Sequence, residues 1–182
     1  MQHKLPQRPV AAVILAAGAA TRFGGPKQRL FLPRVLAALA ASPVEEVVVV
    51  VGAHDVEAPG TRVVRAENWT RGPGASLRAG LAALGEDLEA AVVVLADGPN
   101  LSPAAVSRVL ALHGSGEVLA ATYDGRSRSH PVLIERALWD AVPDEGARSL
   151  PAVLVDCSDI DPPGDVDRAD DIGWAELPPA EP

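Results

Sequence analysis

The sequence is poor in cysteine and in aromatic residues. Its 182 residues include a single cysteine, Cys157, and aromatic side chains make up 3% of the chain. A lone cysteine excludes an internal disulfide and is typical of proteins that work in a reducing compartment. Hydrophobic residues still account for 48% of the sequence, so a core built from aliphatic side chains is expected. These features predict a cytoplasmic globular protein.

Basic residues are also scarce. The chain has 16 Lys and Arg against 24 Asp and Glu, a formal net charge of −8 at pH 7. Nucleic acids and anionic membranes attract basic surfaces, so this balance argues against both as partners. The sequence also lacks an apolar run long enough for a transmembrane helix.

The length is that of one domain with a sizeable core. We expect a single domain over residues 1–176. The Pro-rich end over residues 177–182 has the composition of a disordered tail.

Apolar strand patterns alternate with helical patterns along the chain. Strands are predicted over 10–16, 44–51, 61–66, 90–96, 118–123, 131–134 and 152–156, and helices over 28–42, from Ser76 and from Ser102. Alternation of this kind predicts an α/β fold with three α/β/α layers and a mostly parallel, Rossmann-like sheet. The turn-forming Asp124-Gly125-Arg126 predicts a hairpin that adds one antiparallel strand at the edge.

The segment from Val10 to Lys27 is a candidate phosphate-binding loop. A buried strand runs into Ala17-Gly18, where small side chains let backbone N–H groups approach an anion. Arg22 and Lys27 add positive charge, and a polyphosphate is the expected ligand. The spacing fits neither a dinucleotide fingerprint, because Ala20 stands where glycine is needed, nor a Walker A loop.

Three further residues are candidate ligand contacts. Asp97 follows a central strand, at the carboxyl end where open α/β sheets bind ligands; the alternative is a carboxylate in an ordinary turn. Ser76 is either a ligand contact or the N-cap of its helix. Trp69 fits packing as well as ligand contact.

The pattern from Leu15 to Lys27, LAAG followed by RFGGPK, resembles the signature of the MobA/MocA-like nucleotidyltransferases. Later blocks resemble the same family in the same order. They are the segment from Asn68 to Leu81, Asp97, His130-Pro131, the segment from Asp144 to Arg148, and Asp165-Val166-Asp167. The implied fold is nucleotide-diphospho-sugar transferase-like.

The resemblance also implies roles for individual residues. Lys27, Arg22 and Asp97 would be catalytic, and Asp97 with Asp167 would bind Mg²⁺. His130 and Arg148 would contact the second substrate. The nucleotide would be held by Leu15, Ala16, Ala17, Gly18, Lys27, Asn68 and Ser76.

The implied reaction moves a nucleoside monophosphate from an NTP to a phosphorylated acceptor and releases pyrophosphate. The LAAG loop resembles members that use CTP rather than GTP. Those members add CMP to molybdopterin, which makes molybdopterin the lead acceptor and implies transient contact with the enzymes that receive the cofactor. Two alternatives stay open. One is a nucleotidyltransferase of the GTP-using or sugar-phosphate type, which acts on another phosphorylated acceptor. The other is a catalytically inactive, nucleotide-binding regulatory relative.

Overall fold

The computed structural model describes residues 9–18 and 28–164. The strands are β1 (Val10–Ala16), β2 (Glu46–Val51), β3 (Arg62–Arg65), β4 (Ala90–Leu95), β5 (Val118–Thr122), β6 (Ser129–Glu135) and β7 (Ala152–Asp156). The helices are α1 (Gln28–Ala40), α2 (Pro73–Ala82) and α3 (Pro103–Leu110), with short 3₁₀ turns at Trp69–Arg71, Arg136–Ala141 and Ala147–Ser149. The predicted strands are all present, with ends within two residues of those expected.

The seven strands form one sheet in the order β3-β2-β1-β4-β6-β5-β7. β6 is antiparallel to both of its neighbours, and the other strand pairs are parallel. The predicted hairpin is confirmed, but its antiparallel strand is not at the edge. β6 pairs with β4 on its far side, and β7 covers β5, so the antiparallel strand lies inside the sheet.

Helices cover both faces of the sheet. Val13 of β1 and Val50 of β2 face Leu77 and Leu81 of α2. Ile14, the next residue of β1, lies in the opposite cluster with side chains of α1 and α3. Because both faces of the strands are buried, their sequences are continuous apolar runs rather than alternating ones. The predicted three-layer arrangement is confirmed.

Two helix starts differ from expectation. Pro33, expected in a first turn, lies inside α1. Ser76 is not an N-cap, because α2 begins three residues earlier at Pro73, with Gly72 in the capping position. The Gly-Pro-Gly sequence therefore starts the helix instead of preceding it. Ser102 is confirmed as the N-cap of α3, since its hydroxyl accepts a hydrogen bond from the Ala104 amide.

Some sequence predictions lie outside the described residues. They concern Arg22, Lys27, Asp167 and the terminal tail. Across residues 9–18 and 28–164, no helix has the length and apolar character needed to cross a bilayer.

Gly80 sets how closely α2 approaches the sheet. A Cβ atom at this position would lie 2.7 Å from a methyl carbon of Val13 and 2.7 Å from one of Val50. Both valines are fully buried in the sheet, and β-branched side chains have little freedom to move aside.

We therefore expect Gly80→Ala to destabilise the fold by about 1–3 kcal/mol through overpacking. This loss outweighs the ~1 kcal/mol that alanine normally gains over glycine inside a helix. Urea unfolding measures the difference. Gly85→Ala is the matched control, because its Cβ would have only Leu88 nearby, at 3.9 Å; equal stability of the two variants would contradict the packing argument.

Candidate active site

The site lies where the strand order changes direction. The chain passes from β1 to β2 on one side, and β4 later pairs with the other side of β1. In open α/β sheets, ligands bind at such a switch point, outside the carboxyl ends of the strands. Gly18 follows β1 and Asp97 follows β4, so the two loops flank the switch point. A hydrogen bond of 3.1 Å from the Ala96 amide to the Leu15 carbonyl holds them together.

The loop after β1 is fixed through its carbonyl groups. The Ala53 amide donates a hydrogen bond of 3.1 Å to the Ala17 carbonyl. The side chain of Gln28, the first residue of α1, donates one of 2.9 Å from Nε2 to the Gly18 carbonyl. Gln28 is only 5% exposed. Its role escaped the sequence analysis, although its position directly after Lys27 was an available signal.

Trp69 packs against Gly52, which lies beside the same loop. A Cβ atom at Gly52 would lie 2.7 Å from the Trp69 ring and 2.8 Å from the Ala17 carbonyl oxygen. Glycine is therefore needed for this close approach, and Trp69 has a packing role. Asn68 is exposed beside it, whereas Ser76 is buried in the first turn of α2.

Asp97 is half-buried at the start of the loop after β4. The end of the described chain crosses this loop, because the Asn100 amide donates a hydrogen bond of 2.9 Å to the Pro163 carbonyl. A Cβ atom on Gly98 would lie 3.3 Å from Pro163. Pro163 and Gly164, the last described residues, therefore lie beside the Asp97 loop.

His130 enters the site from the start of β6. The pKa of its imidazole is lowered to about 4: desolvation is the main cause, the nearby Asp97 carboxylate opposes the change, and the Arg128 guanidinium adds to it. His130 is thus a neutral hydrogen-bonding group at neutral pH, close enough to Asp97 to interact with it. Tyr123 fixes the backbone here, since its hydroxyl donates a hydrogen bond of 2.9 Å to the His130 carbonyl.

Residues 143–148 form the opposite wall, which is attached to the start of α2. Asp144 accepts a hydrogen bond of 2.9 Å from Arg71 and pairs with Arg78 as well. These two arginines hold the pKa of the Asp144 carboxyl below its usual range, Arg78 most strongly. The Gly74 amide also donates to the Asp144 carbonyl, at 2.9 Å.

A pocket of about 230 Å³ lies between this wall, α2 and the start of β6. Three of the residues singled out in the sequence, Leu15, His130 and Arg148, line it together. Ala17 and Gly18 follow the neighbouring β1, while Asn68 and Ser76 lie outside the pocket lining. Arg128, which the sequence analysis did not single out, lines the pocket too.

The comparisons with known proteins agree with this architecture. Residues 12–156 match the family model of the MobA-like NTP transferase domain. The chain belongs to the MobA-like NTP transferase family.

Relatives span nearly the whole chain. Nicotine blue oxidoreductase of Paenarthrobacter nicotinovorans is 34% identical, over 90% of this chain and 94% of that protein. Two of the similar solved structures are mycobacterial. Rv0371c of Mycobacterium tuberculosis H37Rv is 26% identical with a TM-score of 0.73, covering 91% of this chain and 96% of that one. Its homologue from Mycobacterium sp. strain JC1 is 25% identical with a TM-score of 0.74, covering 89% and 92%.

Membership of the MobA-like family identifies a nucleotidyltransferase domain and raises the question of a metal. Within the described ranges, no group of three or more His, Cys, Asp or Glu side chains could hold an ion. Mg²⁺ usually takes one or two carboxylates and completes its shell with water and substrate phosphates. Among the described residues, Asp97 offers a carboxylate directly after β4, at the switch point.

We expect Asp144→Ala to loosen the pocket wall, because it removes both arginine contacts. Amide hydrogen exchange should become faster for residues 143–150 and stay unchanged in β1 and β4. Asp140→Ala is the matched control. Asp140 is exposed and, among the described residues, forms no hydrogen bond or ion pair. Equal exchange in the two variants would show that the arginine contacts do not hold the wall.

Proposed function

We propose that this protein transfers a nucleoside monophosphate, with CMP favoured, from an NTP to a phosphorylated acceptor and releases pyrophosphate. Molybdopterin is the lead acceptor. The observation that carries the proposal is the pairing at the switch point, where the LAAG loop and the Asp97 loop are hydrogen-bonded neighbours. Phosphoryl chemistry of this kind depends on positioning and charge neutralisation. The first loop would position the nucleotide, and a metal ion held at Asp97 would neutralise charge.

Leu15, Ala16, Ala17 and Gly18 would bind the nucleotide through backbone groups. Lys27 and Arg22 would neutralise its phosphates. Gln28, which follows Lys27 in the sequence, donates a hydrogen bond to the Gly18 carbonyl. Asn68, which is exposed beside the loop, and Ser76 would complete the nucleotide site.

Asp97 would be the main ligand of Mg²⁺ and Asp167 the second. Gly164, the last described residue, lies beside Asn100 and Pro99 of the Asp97 loop. A bound Mg²⁺ would offset negative charge on the reacting phosphates.

The acceptor phosphate is already an anionic nucleophile, so the site needs no strong base. This fits His130, because an imidazole with a pKa near 4 is a weak base. Its N–H would instead donate a hydrogen bond to an acceptor oxygen. Arg148, exposed at the rim of the pocket, would attract the acceptor's charge.

The decisive experiment measures pyrophosphate release with Mg²⁺, with CTP or GTP, and with molybdopterin or a sugar phosphate as the acceptor. Release that requires both an NTP and an acceptor supports the transferase. Nucleotide binding without release, for every acceptor, would favour the regulatory alternative.

Asp97→Asn should abolish most of the activity while preserving the fold, because it removes the charge and keeps the side-chain size. Loss of metal-assisted charge stabilisation is worth several kcal/mol, so kcat/KM should fall about 100-fold or more. Asp140→Asn, which removes an exposed carboxylate far along the chain, should leave turnover unchanged. Full activity of Asp97→Asn would remove Asp97 from the mechanism.

Ala17→Gly should relax the choice of base. Ala17 is 6% exposed and its carbonyl is held by Ala53, so its methyl group narrows a rigid part of the loop. A methyl-sized difference in a pocket is worth about 1–3 kcal/mol. We therefore expect the wild type to prefer CTP in direct competition and the variant to accept GTP more readily. A wild-type preference for GTP would contradict this assignment.

The 34% identity to a protein named an oxidoreductase favours a second candidate function, electron transfer to a small organic molecule. Cys157 is the candidate redox-active side chain. It is buried, and burial raises the pKa of its thiol. A diffusible electron carrier would therefore be required. Oxidation of reduced nicotinamide nucleotides, assayed on the same preparation, separates the two functions.

A further inference from the structure

The loop after β2, residues 52–55, is held by two arginines. Arg65, the last residue of β3, donates a hydrogen bond of 2.8 Å from Nη1 to the Gly52 carbonyl. Its Nη2 pairs with the Asp55 carboxylate. On the other side of the loop, Arg29 of α1 donates from Nε and Nη2 to the Asp55 carbonyl, at 3.1 and 3.0 Å. The loop after β2 is therefore fixed from both of the elements that flank it.

One peptide group of this loop lies between Arg65 and the loop after β1. Its C=O is that of Gly52 and accepts the hydrogen bond from Arg65. Its N–H is that of Ala53 and donates to the Ala17 carbonyl at 3.1 Å. In a trans peptide the C=O and the N–H lie on opposite sides of one plane. A donor that fixes the C=O on one side therefore fixes the direction of the N–H on the other side.

The charge of Arg65 adds to this effect. A hydrogen bond from a guanidinium is stronger than one from a neutral donor, and hydrogen bonds in a chain polarise one another. The Ala53 N–H is thus both oriented and made a better donor to Ala17. The packing leaves little freedom here, since a Cβ atom at Gly52 would lie 2.8 Å from the Ala17 carbonyl oxygen.

The same geometry applies one step further, in the loop after β1. The Ala17 C=O shares a peptide group with the Gly18 N–H, and a peptide before a residue other than proline is almost always trans. Because the C=O is turned toward Ala53, the Gly18 N–H points away from the loop after β2. Its direction is therefore set by Ala53 and, through Ala53, by Arg65.

The contacts of Arg65 contribute more to this orientation than to the stability of the fold. The side chains of the ion pair are 43% exposed for Arg65 and 81% exposed for Asp55. Ion pairs at such exposed positions add little to the free energy of unfolding. Loss of Arg65 should therefore free the Gly52–Ala53 peptide to turn while the protein stays folded.

We propose that Arg65 is a positioning residue for nucleotide binding. Through the Gly52–Ala53 peptide it holds the Gly18 N–H in the direction from which this group donates a hydrogen bond to the nucleotide. The inference rests on the proposed function, in which backbone groups of residues 15–18 bind the nucleotide. It adds a side chain that acts on this loop without touching the substrate.

Equilibrium binding of CTP with Mg²⁺ to the full chain tests the assignment without turnover. Arg65→Met should weaken binding about tenfold, as expected for the loss of one well-oriented hydrogen bond. Arg65→Lys should recover part of this loss, because an ammonium keeps the charge but not the planar fork. Arg62→Met is the matched control and should stay within about twofold of the wild type. Arg62 lies on the same strand, opposite Val48, and also contacts a carbonyl, that of Ala83, and a carboxylate, that of Glu46.

Kinetics separate positioning from a contribution to folding. In Arg65→Met the KM for CTP should rise about tenfold and kcat should change less than about twofold, because the Gly18 contact is made in both the ground state and the transition state. A purely structural role would reduce the folded fraction, which lowers kcat and leaves KM unchanged. That result, or equal CTP affinities in Arg65→Met and Arg62→Met, would overturn the proposal.

NMR on the nucleotide-free protein tests the connection between the two loops. A scalar coupling through the hydrogen bond, from the Ala53 nitrogen to the Ala17 carbonyl carbon, should be present in the wild type and in Arg62→Met. It should be lost in Arg65→Met, and its persistence there would contradict the proposal. If Arg65→Met fails to fold, the wild type decides the case. Saturating CTP should shift the Gly18 amide proton, and an unshifted Gly18 signal would overturn the assignment.

The two hypotheses fail separately. CTP binding that depends on Arg65, with no pyrophosphate release from any acceptor, would remove the proposed reaction and keep the role of Arg65. Pyrophosphate release with the same KM for CTP in the wild type and in Arg65→Met would keep the reaction and remove that role.

Discussion

The parallel pairing of β1 with both β2 and β4 is the constraint on which the site depends. Leu15 lies opposite Val50 on one side and Leu95 on the other. Because the three strands run in the same direction, their loops leave from one edge of the sheet. The Ala17 and Gly18 carbonyls are then held by Ala53 and Gln28, so the loop after β1 is shaped by its neighbours.

The antiparallel direction of β6 explains why His130 and Arg128 lie at the same edge of the sheet as the loops after β1 and β4. Val132 of β6 lies opposite Val93 of β4. Since β6 runs against β4, its first residues lie where β4 ends, beside Asp97. A parallel strand in this position would have placed its first residues at the far edge of the sheet. The inversion of one strand thus gives the switch point a second wall of polar side chains.

The sequence predicts the parts of this arrangement that are local. The LAAG motif follows one buried strand, and Asp97 directly follows another. These two features alone predict that both loops lie at the same edge of the sheet. The roles of Gln28, Asp144 and Arg128 depend instead on partners 10 to 73 positions away. The hydrophobic periodicity of the sequence does not predict such contacts. The interior position of β6 was missed for a related reason, because a hairpin pattern does not show which of its strands joins the sheet.

The arginines around the pocket have two different roles. The chain has a formal net charge of −8, so an anionic substrate meets a repulsive field unless positive groups are concentrated where it binds. Arg71 and Arg78 are neutralised by Asp144 and serve to hold the pocket wall. Arg128 is held by carbonyls and keeps its charge. Two arginines thus build the wall, and a third, Arg128, lines the pocket without an ion-pair partner among the described residues. An anion at the pocket would therefore meet a positive group despite the net negative charge of the chain.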